Sequence, residues 1–227
     1  DRLFSSIIVM SETDKAAILK REQPPGATHV VENGVDTRKL RPFSPSRQPV
    51  LLFIGALDYL PNQDAAIYIC REILPLLKNI LPEIRILIVG RKPSSEILSL
   101  ASETVEVHGD VPEVESFYER SSIAIVPLRA GSGSRLKILE AMALGRPVVS
   151  TSKGAEGLEI EPGKDFMLAD DPQTFVKSIR DLLVDQKLYE KIANRARQTV
   201  ESKYDWSEAA RKMMRIYEAL HTGQGKA

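Results

Sequence analysis

The chain has 227 residues, enough for one large domain or one domain with an appendage. Lys plus Arg and Asp plus Glu each number 31, and a formal net charge of zero argues against nucleic acid as the main partner. The lone Cys70 excludes an internal disulfide and fits a reducing, cytoplasmic setting; His29, His108 and His221 have no metal-ligand spacing, and no apolar run approaches a membrane span.

The chain starts at Asp1 with no Met and no signal-like segment, and Ile7 to Val9 reads as a strand cut off from what preceded it, so a fragment is expected. Ser11-Glu12-Thr13-Asp14 has the form of a capping box with Asp in place of Glu, opening a helix to about Lys20. Pro24-Pro25-Gly26 breaks the chain, Thr28 to Val31 is a short strand, and Asn33-Gly34-Val35-Asp36 is a turn in which Asn and Gly tolerate positive φ. Leu40 to Pro49, with Pro42, Pro45 and Pro49, reads as a linker.

Val50 to Ile54 is a fully apolar strand ending at Gly55, and a long helix runs from near Pro61 to about Leu81, with Cys70 as a core residue. Arg85 to Val89 is the next buried strand, Ser94 to about Ser102 a helix, Val105 to His108 a strand and Pro112 to Arg120 a short helix. Ile123 to Val126 is another apolar strand, closed by Pro127 and followed by the Gly131–Gly133 loop. Ser134 is the expected N-cap of a helix to about Leu144; Gly145 sits at the left-handed C-cap position, and Val148 to Thr151 is a strand. Phe166 to Ala169 is a last edge strand, and helices over 172–184, 186–202 and 206–221 finish the chain. Short apolar strands alternating with helices specify an α/β, Rossmann-like, doubly wound parallel sheet with C-terminal helices, whose ligands sit at the carboxyl ends of the strands.

Four strand ends carry glycine: Gly55, Gly90, Gly109 and the Gly131–Gly133 loop. Tight turns would explain any one of them; together they suggest backbone approaching a ligand. The first strand lacks a following G-x-G-x-x-G, and neither a P-loop nor a G-x-S-x-G is present, which disfavours dinucleotide, NTPase and hydrolase readings. The loop after Val126 feeds a helix N-terminus suited to anions. Inside that helix Glu140 lies among apolar neighbours, and a buried carboxylate needs a partner. It either pairs with Lys137 three residues earlier or faces a cleft and accepts hydrogen bonds from two sugar hydroxyls; the pattern alone does not choose.

Asn33-Gly34-Val35-Asp36, Leu51 to Gly55, Ile88-Val89-Gly90, His108-Gly109-Asp110-Val111 and Leu139 to Val149 follow one another in one order. The series closely resembles the C-terminal, donor-binding half of GT-B glycosyltransferases, in the large retaining group that includes sucrose and mannosyl transferases. The resemblance covers nearly the whole chain from Ser6 on, and it extends to bacterial sugar transferases linked to exopolysaccharide synthesis. It implies that Glu140 takes ribose hydroxyls, that Leu136 and Lys137 meet the diphosphate, that Gly133, Ser134 and Arg135 meet the donor sugar, and that Arg91 and Val111 flank the base, with Gly55 at the first strand's end. Two departures stand out. Ser132 occupies the place of the first of two glutamates, and the loop Gly55 to Asn62 lacks the family's Arg and Lys. Arg135 and Lys137 are expected to supply that charge from the opposite side; the alternative is that both are solvated surface cations.

By this resemblance residues 1–48 are the end of an inter-domain region and linker, 49–204 a nucleotide-sugar-binding domain, and 205–227 a crossover helix and tail. The substrates would be a nucleotide-diphosphate sugar and a hydroxyl acceptor, with no cofactor or metal. A missing N-terminal acceptor domain would leave this piece inactive alone. The stripe Trp206, Ala210, Met213, Met214, Tyr217 and Leu220 is either core or an apolar face left open for that domain or for a weak homodimer, and the full-length enzyme could associate peripherally with a membrane. The rival readings are a stand-alone nucleotide-sugar-binding module and a GT-B-type sugar-nucleotide 2-epimerase; a pyridoxal-dependent phosphorylase lacks a Schiff-base lysine context.

Overall fold

The structure, a computed structural model, describes residues 6–21, 26–44 and 48–222; Pro24, Pro25 and Pro45 lie outside them. The N-terminal segment forms β1 (Ser6–Val9), α1 (Glu12–Arg21) and β2 (Ala27–Val30), with β1 and β2 paired in parallel. Half of the capping box is formed: Ser11 Oγ accepts from Asp14 N at 3.1 Å, while the Asp14 carboxylate accepts from the Ser11 hydroxyl at 2.7 Å. Neither Asn33 nor Gly34 has positive φ, contrary to the turn expected there. Glycine is needed at 34 for space, since a Cβ would lie 2.5 Å from the Tyr204 carbonyl oxygen.

The main sheet begins with β3 (Val50–Ile54), whose residues are nearly all buried, as its continuous apolar run dictates. The helix expected to follow is broken in two: α2 (Leu60–Tyr68) and α3 (Leu74–Lys78) flank a π-helical turn over Ile69–Ile73. Pro75 has no N–H to continue an α-helical ladder, and the wider turn ahead of it absorbs the mismatch. Next come β4 (Arg85–Gly90), the single turn α4 (Ser95–Leu98), β5 (Val105–Gly109), α5 (Glu115–Arg120), β6 (Ile123–Val126), α6 (Leu136–Ala143), β7 (Val148–Ser150) and β8 (Met167–Leu168). The chain closes with α7 (Pro172–Val184), α8 (Gln186–Lys203) and α9 (Trp206–His221). α4 and α5 are shorter than the sequence suggests, because Ser94 caps only one turn and α5 starts after Val114.

The six strands run parallel in the order β5-β4-β3-β6-β7-β8. Counted from β3 this is the 3-2-1-4-5-6 order of a doubly wound sheet, so the strand order reverses between β3 and β6. β3, β4, β6 and β7 form its buried centre, while β5 and β8 are its edges. α9 presents Trp206, Met214 and Tyr217 to solvent, more than half exposed, and buries Ile216 instead; the apolar stripe is an open face rather than core. Cys70 is half-buried, and burial pushes its thiol up to about 11. No described helix is long and apolar enough to cross a membrane, and no cluster of metal-ligating side chains occurs among the described residues.

Candidate functional site

The reversal between β3 and β6 is where a doubly wound sheet opens a crevice. β6 delivers the chain into the loop 127–135, where Gly131 and Gly133 have φ of 95° and 127°. The helix start differs from the expectation. α6 begins at Leu136, not after Ser134, and the N-cap position is Arg135 in a left-handed conformation at φ 54°, with no side-chain cap. A non-glycine residue held in that region stores strain, and a basic residue there puts charge where the helix dipole is already positive. The N–H groups of Leu136 and Lys137 have no intrahelical acceptor, Ile138 N donates to the Arg135 carbonyl at 2.9 Å, and no acidic residue stands in that turn.

Arg135 and Lys137 are not solvated surface cations. The Arg135 side chain is 6% exposed; one Nη reaches the Gly131 carbonyl at 3.1 Å and the Glu156 carboxylate at 3.4 Å. Its Nε has no protein partner. Lys137 keeps part of its surface exposed, but its ammonium is enclosed, 2.7 Å from Asn62 Oδ1 and 4.7 Å from the centre of the Phe53 ring. Burial, reinforced by Arg135 and opposed by Glu140, pushes the ammonium down to about 7.

The ion pair between Lys137 and Glu140 is absent; Lys137 is engaged with Asn62 instead. Glu140 remains half-buried, its carboxyl raised by burial and by Glu115, with the Tyr118 hydroxyl and Lys137 acting the other way. Tyr118 is fully buried, and its hydroxyl also donates to the Lys137 carbonyl at 3.3 Å. Glu140 is therefore a carboxylate without a cation in contact, one turn into a helix whose N-terminus carries two.

Ser132, Gly133, Ser134 and Arg135 line one wall of a cleft of about 290 Å³. Glu156 and Leu158 from the loop after β7, and Asp14 and Asn33 from the N-terminal segment, form much of the rest. Lys153 holds the Glu156 carboxyl below its ordinary value. Neither Lys137 nor Glu140 lines this cleft; Lys137 lies at the β3–β6 crevice with Leu52 and Ile54 of β3 and Ala124 and Val126 of β6. Gly55 and Gly90 are explained by packing within the chain: a Cβ at 55 would lie 2.7 Å from Asn62 Cγ, and one at 90 would overlap the Gly55 carbonyl. Arg91 extends into solvent at the end of β4, 3.7 Å from Asp58, and Val111 is half-buried after β5. With Glu156, Asn62 is one of the site residues that sequence reasoning missed. Its place in the first turn of α2 was legible, but its side-chain partner lies 75 residues away.

A sequence profile for Glycosyl transferases group 1 matches residues 48–185. The chain belongs to that family. A phosphatidyl-myo-inositol mannosyltransferase of Mycolicibacterium smegmatis is 27% identical over 202 residues, 84% of this chain and 51% of that protein. A lipopolysaccharide 1,2-N-acetylglucosaminetransferase of Salmonella typhimurium is 26% identical, over 92% of this chain and 60% of that one. An uncharacterised 44.6 kDa protein from the cps region of Klebsiella pneumoniae is 28% identical over 68% of the chain and 42% of its own length. The chain thus spans about half the length of these curated relatives.

Among solved structures, a mutant of S. aureus TarM in complex with fondaparinux, alpha-GlcNAc-glycerol and UDP superposes with a TM-score of 0.78 at 18% identity, over 93% of this chain and 43% of that one. Anabaena HepE, solved with UDP and glucose, gives 0.76 at 18% identity, over 96% and 63%. The C-terminal domain of a group 1 glycosyltransferase from Francisella tularensis gives 0.59 at 20% identity, over 76% of this chain and 99% of that domain. The fold of this group 1 chain is that of the C-terminal, Rossmann-like domain of GT-B glycosyltransferases.

Proposed function

We propose that the chain is the donor-binding half of a retaining glycosyltransferase. It takes a nucleotide-diphosphate sugar, and the complete enzyme transfers the sugar to a hydroxyl acceptor in exopolysaccharide or glycoconjugate synthesis. The observation that carries this reading is the N-terminus of α6. Two cations that the dipole opposes are buried there without a carboxylate salt bridge for Lys137 and with only a 3.4 Å contact for Arg135. Such an end is stabilised when an anion arrives.

In this reading the diphosphate lies across the first-turn N–H groups of Leu136 and Lys137, with Lys137 and Arg135 countering its charge. As the sugar–oxygen bond breaks, negative charge grows on the departing diphosphate, and fixed cations favour that state over the bound ground state. Glu140 accepts hydrogen bonds from the ribose hydroxyls. Ser132, Gly133 and Ser134 face the donor sugar from the cleft wall, and Gly55, Arg91 and Val111 bound the base at the ends of β3, β4 and β5. The acceptor site belongs to a second, N-terminal domain, which would leave this chain inactive alone; the open apolar face of α9 is where that domain would rest. Uridine is the first base to try, since TarM and HepE were solved with UDP.

Calorimetric titration of this chain with UDP, GDP and ADP, beside Glu140→Ala, tests the reading. One diphosphate binds, and the variant weakens it at least tenfold, about 1.4 kcal/mol. Equal affinity in the variant would remove Glu140 from the site; no binding by this chain or by the full-length protein would overturn the donor-half reading.

A further inference from the structure

Asn62 is 7% exposed, and both ends of its amide are used. Nδ2 donates to the Ala56 carbonyl at 2.9 Å, which turns Oδ1 toward Lys137 and fixes it as the acceptor of the ammonium at 2.7 Å. The flipped amide would set NH₂ against the ammonium and oxygen against a carbonyl, both repulsive. The seat of this amide is built into the sheet ends. Gly55 leaves room for the Asn62 side chain, and Gly90 leaves room for the Gly55 carbonyl. Two strand-end glycines therefore serve one side chain from α2.

We propose that Asn62 is a positioning residue for Lys137, holding its ammonium over the Phe53 ring at the β3–β6 crevice so that it is aimed at an incoming diphosphate. The proposal rests on the donor-site reading above. An ammonium has three donors, and Asn62 takes one; among the described residues its other contact is the aromatic face. The remaining hydrogens are free for phosphate oxygens.

The groups around Lys137 explain why the holder is an amide. From the loop before α6, Arg135 disfavours the charged form; from α6 itself, Glu140 favours it. From α5, the Tyr118 hydroxyl donates to the Lys137 carbonyl, and Glu115 acts on Glu140. β3 offers only the Phe53 ring, and α2 only the neutral Asn62 dipole. A carboxylate at position 62 would neutralise the ammonium and compete with the diphosphate. An aliphatic residue would leave the ammonium unaimed and harder to protonate. The amide aims the ammonium without cancelling it.

The test follows Lys137 in the ligand-free chain by lysine 13Cε resonances, assigned with Lys137→Met, for the natural sequence, Asn62→Leu and Asn62→Asp. UDP affinity is measured in parallel between about pH 6 and pH 9. Asn62→Leu lowers the Lys137 midpoint by at least about 0.5 pH unit and weakens UDP roughly fivefold or more near neutral pH. Asn62→Asp raises the midpoint by about one unit or more and flattens the pH dependence of UDP affinity. The titration of the UDP phosphate itself is common to all variants and cancels in the differences. A merely structural Asn62 would lower the unfolding midpoint in both variants yet leave the Lys137 midpoint where it was, and that result overturns the proposal. If Asn62→Leu fails to fold, the near-isosteric Asn62→Asp decides by the same criterion. Shifted Lys137 midpoints with no UDP binding by the chain or the full-length protein would sustain the Asn62–Lys137 coupling and overturn the donor-site reading instead.

Discussion

The two ends of α6 use the same residue types with opposite outcomes. At the C-terminus, the last four carbonyls all have partners. Arg146 N donates to Ala141 O at 2.9 Å and Gly145 N to Met142 O at 3.2 Å, the paired bonds of a Schellman turn with Gly145 at φ 72°. Arg197 reaches the Ala143 carbonyl at 2.5 Å, and Phe43 N the Leu144 carbonyl at 3.1 Å. The fully buried Arg146 side chain spends its guanidinium on the Tyr118, Ser44 and Glu119 carbonyls. At the N-terminus, by contrast, Arg135 and Lys137 oppose the helix dipole, one nitrogen is orphaned, and no carboxylate caps the turn. Cations at a C-terminus stabilise a helix and cations at an N-terminus do not. One end is built for stability, and the other is the end at which we propose that an anion binds.

Breaking the satisfied end should cost most. Arg146→Ala removes a fully buried guanidinium with its three carbonyl contacts and empties a large volume, so urea unfolding should show a loss of about 3 kcal/mol or more, whereas Arg135→Ala should change stability by less than about 1 kcal/mol. A comparable loss in both would erase the contrast.

The open end should also have its own pH signature. Lys137 is held near 7 in the folded chain against 10.5 ordinarily, so between those values the unfolded chain keeps a proton that the folded chain has shed. Stability therefore rises with pH across that window: the full burial cost applies below about 7 and is gone above the ordinary value. Relative to Lys137→Met, the natural chain should gain up to about 1.4 kcal/mol per pH unit there. Parallel stability curves for the two proteins would mean that the ammonium is not desolvated.

Smaller effects sharpen the comparison. Gly145→Ala forces a Cβ into left-handed backbone and within 3.0 Å of Pro42 Cβ, and should lower stability by about 1 kcal/mol. Asp171→Ala removes a working cap from α7, whose carboxylate accepts from Thr174 N at 2.9 Å, at about 1 kcal/mol. Ser134→Ala, at the cap position expected from sequence but unused, should cost less than about 0.5 kcal/mol. Thermal or urea unfolding ranks all three.

Much of the fold was written locally. The strands β3, β4, β6 and β7 are runs of apolar residues with no other home, and α7 and α9 lie within their expected bounds because Asp171 and Asp205 cap them. The helix breaks were harder to read. The π turn before Pro75 and the late start of α6 depend on backbone that must bend to fit the sheet, and Ser134 looks like a cap until the Gly131–Gly133 loop places Arg135 there instead. The site divides the same way. Glu140 could be named because a charged residue in an apolar helix is conspicuous, Lys137 because it stands three residues earlier, and Arg135 through the family resemblance. Their relations could not, since Lys137 chooses Asn62 over the nearer Glu140 across 75 positions of sequence. Glu156 was missed for the same reason: nothing local ties the loop after β7 to Arg135.

The most direct test of an anion site at the open end of α6 is UDP titration of the natural chain and of Lys137→Met, with the unfolding midpoint of each recorded. The account predicts at least tenfold weaker binding, about 1.4 kcal/mol, in a variant that stays folded. Unchanged UDP affinity in a folded Lys137→Met chain would contradict it.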